Sequence, residues 1–403
     1  MEAPADTTWK GFTLVERDRR WNAVRKNASQ AGFDCILVPL CIDGRNQHLS
    51  LEQARGMRSD GRYLTLLDNA AVVLPTDGRK PIVISDLPGN EWIPEPRSPG
   101  RSWGEAIAQA LSECRMENAR IGVTGLERGK MVHGRAYAGV VNHTSYVEVL
   151  RRLPNAKFED DHDTVAFARF MKSPEEVDCL RRGAEIAAAG IEEMGRVSRP
   201  GVKDAVIYTA VMRRMLELGS GYYPLAFYSG PMDEARLPRF EDPPEGRVLQ
   251  PMFRIHNEVD ALWGGLIAQE QQGFLLGPIP EKWQRVVDLQ RDLFYAGLER
   301  LKPGMVFGEF IDSVNSFGQK RGMKSLILMH GRGYGDDGPL LTPQDRGEKV
   351  RDVVMHEGNV FVWKPIAMSD DEKIQYSWGG CVLVTKTGAA QLVKRTPGMI
   401  SIN

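Results

Sequence analysis

The sequence predicts an α+β chain of two domains, and three observations carry that expectation. A chain of 403 residues that is 42% hydrophobic holds more apolar material than one core uses, since single cores stop growing at roughly 250–300 residues. The texture changes near residue 172, where short strands with occasional helices give way to long helical stretches. Strand-like runs then recur between and after those helices without the strict alternation of a doubly wound sheet. The expected division is a smaller α/β domain over 1–165 and an α+β domain over 166–403, with helices on one side of a curved antiparallel sheet.

Composition excludes several classes. The chain has 52 Lys+Arg against 53 Asp+Glu, so it carries almost no net field and is neither an acidic buffer nor a coat for nucleic acid. Its basic residues form no stripe, and no nucleic-acid partner is expected. The five cysteines, Cys35, Cys41, Cys114, Cys179 and Cys381, are scattered and match no zinc or redox spacing, which suits reduced thiols in a cytoplasm. The first residues contain no apolar run of signal-peptide kind. No stretch reaches the roughly 18–20 apolar residues of a membrane span, so a cytoplasmic protein with no membrane partner is expected.

In chain order, Trp21, Val24 and Ala28 recur at helical spacing within 16–40, and Cys35-Ile36-Leu37-Val38 reads as a strand. Strands are expected at 62–66 and 70–75, with a hairpin through Thr76-Asp77-Gly78 into 81–85. A helix at 104–115 and a strand at 120–124 complete the first domain. Ser173 followed by Pro174, Glu175 and Glu176 is an N-cap, a first-turn proline and early acids, so a helix starts there and runs to about 199. Further helices are expected at 204–218, 281–301 and 307–321. Strands are expected at 225–229, 252–256, 272–276, 325–329, 359–363 and 381–385.

Several short motifs stand in a telling order. They are Lys172-Ser173-Pro174-Glu175-Glu176, Tyr228-Ser229-Gly230-Pro231, His330-Gly331-Arg332-Gly333, Gly358-Asn359-Val360-Phe361 and Val382-Leu383-Val384-Thr385, with Arg62-Tyr63-Leu64-Thr65 upstream. Together they resemble the creatinase/aminopeptidase P/prolidase family. The resemblance implies a C-terminal pita-bread domain behind a smaller N-terminal α/β creatinase-like domain, and homodimers.

Metal-dependent members hold two divalent ions with two Asp, one His and two Glu. Laid onto this chain, the second Asp falls on Glu270 and the first, eleven residues earlier, on Val259 between Glu258 and Asp260. The His is retained as His330. Lys364 stands where a Glu should precede Pro365, and the last Glu falls on Gly379 or its neighbours. An ammonium in place of a carboxylate opposes a cation, so the expectation is a metal-free member without cofactor, closest in character to creatinase. Trp263-Gly264-Gly265 and Gln269-Glu270 resemble creatinase's glycine turn and guanidinium-binding Glu, whereas creatinase's loop histidine is Arg239 here.

The expected catalytic residues are His330 as the group titrating near neutral pH, Glu270 as its orienter or as a base, and Lys364. Substrate binding is assigned to Arg239, His256, Glu258, Asp260, Trp263, Arg332, Asp336, Asp337 and Trp378. Strand alternation places residues 254, 256, 258 and 260 on one side. Two or three cations in the cavity suit an anionic small molecule. The competing readings are solvated arginines, a structural His330 capping its turn, a Glu270–Lys364 salt bridge, and Asp336 and Asp337 closing a loop. The expected activity is metal-independent hydrolysis of a C–N bond. The alternatives are a metal-dependent Xaa-Pro peptidase, a lyase or aldolase-type reaction through Lys364, and a non-catalytic peptide-binding module.

Overall fold

The computed structural model describes residues 7–39, 60–127, 129–131, 141–161, 163–232, 244–343 and 347–403. The chain divides into two units: Gly11–Phe170 with Tyr334–Gly338, and Met1–Lys10 with Met171–Gly333 and Pro339–Asn403. The division falls at Phe170–Met171 rather than at 165–166. A five-residue excursion of the C-terminal half, Tyr334–Gly338, belongs to the first unit.

Among the described residues the first unit holds a five-stranded sheet in the order β3-β2-β1-β4-β5. Its strands are β1 (Cys35–Val38), β2 (Ala70–Pro75), β3 (Ile82–Ser85), β4 (Arg120–Val123) and β5 (Lys157–Asp160). β1 is central because all four of its residues are buried, as the middle of a covered sheet requires. The helix Trp103–Glu113 starts at Ser102, whose hydroxyl accepts from Glu105 N, and lays Ile107, Ala110 and Leu111 on the sheet. Residues 60–65 form a helix, Asp60–Thr65, instead of the expected strand. Thr65 Oγ1 donates to Gly61 O at 2.7 Å, a local bond that competes with strand pairing, and Tyr63 and Leu64 are buried without it. Buried Arg169 donates to Asp60 at 2.8 Å and to Asp337. Burial opposes its charge, but the two acids outweigh that and hold Arg169 above the ordinary arginine range.

In the second unit Ser173 and Glu176 form a complete capping box for the helix Pro174–Val197, so that start is fixed locally. Gly183 lets this helix approach the sheet: a Cβ there would sit 3.0 Å from Ala268 Cβ. Among the described residues a ten-stranded sheet runs β12-β11-β13-β16-β8-β7-β9-β18, with β6 on β7 and β17 on β16. These strands are β6 (Ala226–Pro231), β7 (Phe253–Trp263), β8 (Leu266–Gln271), β9 (Phe274–Leu276), β11 (Met329–Gly331), β12 (Leu340–Leu341), β13 (Val360–Trp363), β16 (Gly379–Val384), β17 (Ala389–Gln391) and β18 (Ile400–Ile402). β10 (Lys324–Leu326), β14 (Ile366–Met368) and β15 (Gln375–Ser377) form a separate sheet. The helix Glu281–Arg300 backs the large sheet, with Gly297 against the Trp363 ring. No helix among the described residues is long and apolar enough to cross a membrane.

Candidate active site

Register decides which side chains meet. Asp260 pairs with Gln269 and Val259 with Glu270 across β7 and β8. Gly379 pairs with Gln271 and Gly380 with Glu270 across β8 and β16. Val362 pairs with Cys381 and with His330. Because side chains alternate, Glu258, Asp260, Gln269, His330, Arg332, Lys364 and Gly379 share one face of the sheet. Glu270 lies on the other.

On the shared face Lys364 Nζ donates to Glu258 and, at 2.7 Å, to Gln269 Oε1. Gln269 Nε2 donates to Asp260 Oδ1 and Oδ2 at 3.0 and 3.2 Å. Arg332 donates to the same carboxylate. Lys364 is 1% exposed, and Asp260, Gln269, His330 and Arg332 are fully buried. The backbone at Lys364 is held as well. Ser377 Oγ donates to Lys364 O at 2.9 Å, and Gln290, from the helix Glu281–Arg300, donates to Trp378 O at 2.7 Å and Pro365 O at 3.3 Å. On this face Lys364 meets Glu258 and Arg332 meets Asp260, so each of these two cations has a carboxylate partner.

His330 Nδ1 lies 3.1 Å from Gly331 O. A carbonyl only accepts, so the proton of the neutral ring is on Nδ1 and Nε2 is the basic nitrogen. His256 shares the β7 face. Burial foremost, then the charges of Arg254 and Lys364, pull its imidazole down to about 3 against the opposing effect of Glu258. It is neutral at physiological pH and unsuited to proton transfer there.

The structure separates other expected site residues from this cluster. Glu270 accepts from Cys381 N at 3.1 Å and from Arg395 Nη1 at 2.9 Å on the opposite face. Burial raises it to about 7 although Arg395 works against the rise. Its assignment beside Lys364 and His330 fails on parity, because one residue of slip turns a strand side chain over. Trp263 has the parity of that opposite face, and Arg182 of the helix Pro174–Val197 lies 5.5 Å over its ring. Trp378 donates to Gln272 Oε1 at 2.9 Å and packs edge-on against Phe294 at 4.9 Å. Neither tryptophan lines the Lys364 face. Asp336 and Asp337 belong to the other unit, where Asp337 pairs with Arg169 and accepts from Tyr334 N at 3.1 Å. Arg239 lies outside the described residues.

Gln269 was missed by sequence reasoning, although its signal was present. Counted from Glu258, the eleven-residue interval of the two family aspartates ends on Gln269, not on Glu270. The structure brings Glu258 and Gln269, that spacing apart, to one ammonium. These residues do not fit two divalent ions. Lys364 lies inside the donor set, and a dication about 4 Å from it meets repulsion of about 8 kcal/mol at an effective dielectric near 20. Gly379 cannot carry a carboxylate, because a Cβ there would overlap Trp363 O and lie 2.7 Å from Lys364 Cα. Among the described residues no three His, Cys, Asp or Glu side chains are grouped as around a metal.

Helices behind a sheet whose other face carries the polar cluster are the arrangement of a pita-bread protein. Solved structures share the fold. An X-Pro aminopeptidase from Thermotoga maritima superposes with a TM-score of 0.71 at 14% identity over 95% of this chain and 99% of that one. A Xaa-Pro dipeptidase from Bacillus anthracis gives 0.73 at 15% identity with the same coverage. Residues 178–386 match Metallopeptidase family M24, and the chain belongs to that family of hydrolases. Among curated relatives, methionine aminopeptidase 1 of Dictyostelium discoideum is 21% identical over 261 residues, 59% of this chain and 70% of its own. An uncharacterized hydrolase/peptidase of Sinorhizobium fredii is 27% identical over 158 residues, 38% of this chain and 40% of its own.

Proposed function

We propose that this chain hydrolyses a C–N bond in a small substrate without the pair of divalent ions its metal-dependent relatives use. The single observation supporting the reading is the Lys364 ammonium, buried and hydrogen-bonded between Glu258 and Gln269. A fixed cation in a buried cluster needs no reorganisation to stabilise the oxyanion that develops when water adds to a carbonyl-type carbon. His330 Nε2 takes the proton from that water and returns it to the departing nitrogen as the C–N bond breaks. Glu258 and Gln269 fix the position of the Lys364 amine. Lys364 and Arg332 are each paired with a carboxylate, so neither is a spare cation for an anionic substrate.

A metal-dependent Xaa-Pro aminopeptidase or dipeptidase is the second reading. Family membership favours it, as do Glu258, Asp260 and His330 on one face. Metal analysis of the purified protein, with hydrolysis of Xaa-Pro dipeptides and guanidino acids measured with and without chelator, separates the two. Substoichiometric metal and chelator-insensitive C–N hydrolysis support the first. About two tightly bound equivalents, the stoichiometry of two-metal hydrolases, together with hydrolysis abolished by chelator, overturn it. Peptide binding with no turnover in either condition points instead to a non-catalytic module.

A further inference from the structure

The helix-side face of β8 carries a second buried polar cluster that the proposed chemistry does not use. Glu270 is held there by Cys381 N and by Arg395, which comes from the C-terminal segment beyond β17. Arg395 Nη2 also donates to Gln271 O at 3.2 Å and to Gln272 Oε1 at 2.8 Å, and its guanidinium lies 5.1 Å over the Trp378 ring. The same segment is fastened further on. Gly398 O accepts from Gln272 Nε2 at 2.6 Å and Tyr376 Oη at 2.8 Å, and β18 pairs with β9. Gly380, opposite Glu270, leaves the space its carboxylate fills.

Glu270 and Gln269 share a peptide bond and face opposite ways. We propose that Arg395 is a positioning residue for the Lys364 cluster: by holding Glu270 and the Gln271 carbonyl from behind, it sets β8 so that Gln269 meets Lys364 and Asp260 in front. The inference rests on reading that cluster as the working site. Without the guanidinium, Glu270 is a buried carboxylate with Cys381 N as its remaining donor in this cluster, an arrangement that drives the strand to shift toward another partner. Any shift of β8 carries Gln269 with it.

Hydrogen exchange of the full-length protein tests the proposal through R395M and E270Q/R395M. In R395M, peptides covering 266–271 and 360–364 exchange about tenfold faster than wild type, as expected for losing a charged hydrogen bond. In E270Q/R395M most of that increase disappears, because a neutral amide demands no counter-charge. Faster exchange confined to 391–402, or a double variant no slower than R395M, overturns the proposal. The readout involves no turnover, so failure of the hydrolase reading shows in the metal and activity assays and failure of the positioning role shows here.

Discussion

Replacing Lys364 by methionine keeps most of the side-chain stem and removes only the ammonium, which isolates the charge at the centre of the proposed chemistry. The pair it breaks is deeply buried, with Lys364 and Glu258 side chains 1% and 8% exposed. Removing one partner of such a pair leaves an uncompensated charge and costs about 3–5 kcal/mol. Gln269 Oε1 loses its donor in the same step, a penalty that overlaps with the first and does not add to it. E258Q/K364M removes both charges, and its expected stability lies within about 1 kcal/mol of wild type, since neutral groups of similar volume avoid the desolvation that the ion pair suffers. Urea unfolding at pH 7, followed by tryptophan fluorescence, measures all three proteins, with the midpoint read at constant slope. A K364M variant within about 1 kcal/mol of wild type, or an E258Q/K364M variant as unstable as K364M, refutes the claim that Lys364 and Glu258 form a mutually dependent pair.

Two further outcomes follow from the same geometry. Glu270 is raised from 4.5 to about 7 in the folded chain, so the native state binds its proton more tightly than the unfolded state. Its contribution is fully present below about pH 4.5 and is lost as pH rises through about 7, a change of about 3 kcal/mol. E270Q therefore gains on wild type between those pH values in thermal unfolding, and a constant difference across that window argues against the buried setting. Gly379→Ala places a methyl against Trp363 O. Overpacking of this kind typically costs about 1–3 kcal/mol, so G379A melts below wild type in calorimetry, and an unchanged melting temperature shows that the strand has room for a side chain.

Much of the second unit was legible because its signals are local. The Ser173–Glu176 capping box closes within four residues, and His330, Lys364 and Pro365 follow landmarks that short motifs fix. The wrong choice between Gln269 and Glu270 arose where the decision is not local. Both are polar and both stand near the family interval, and only pairing with β7 and β16 tells which one faces Lys364. Trp263 and Trp378 misled for the same reason, since an aromatic residue reads alike on either side of a sheet. The expected strand at 62–66 falls on the helix Asp60–Thr65, because the burial of Tyr63 and Leu64 serves a helix equally well. Asp336 and Asp337 stand close to His330 along the chain, but the chain leaves the unit after Gly333 and returns at Pro339.

That detour limits how the gene can be cut. A fragment ending at Phe170 carries Arg169 and Asp60 but not Asp337, so it lacks one of the two carboxylates that pair with this guanidinium in the whole protein. It would also lack the Tyr334 hydroxyl that accepts from Arg20 at 2.9 Å. The complementary fragment would carry Tyr334–Gly338 away from the groups they bond to. Truncation at the visible border therefore yields two damaged halves, and a recombinant N-terminal piece needs those five residues grafted back to be whole.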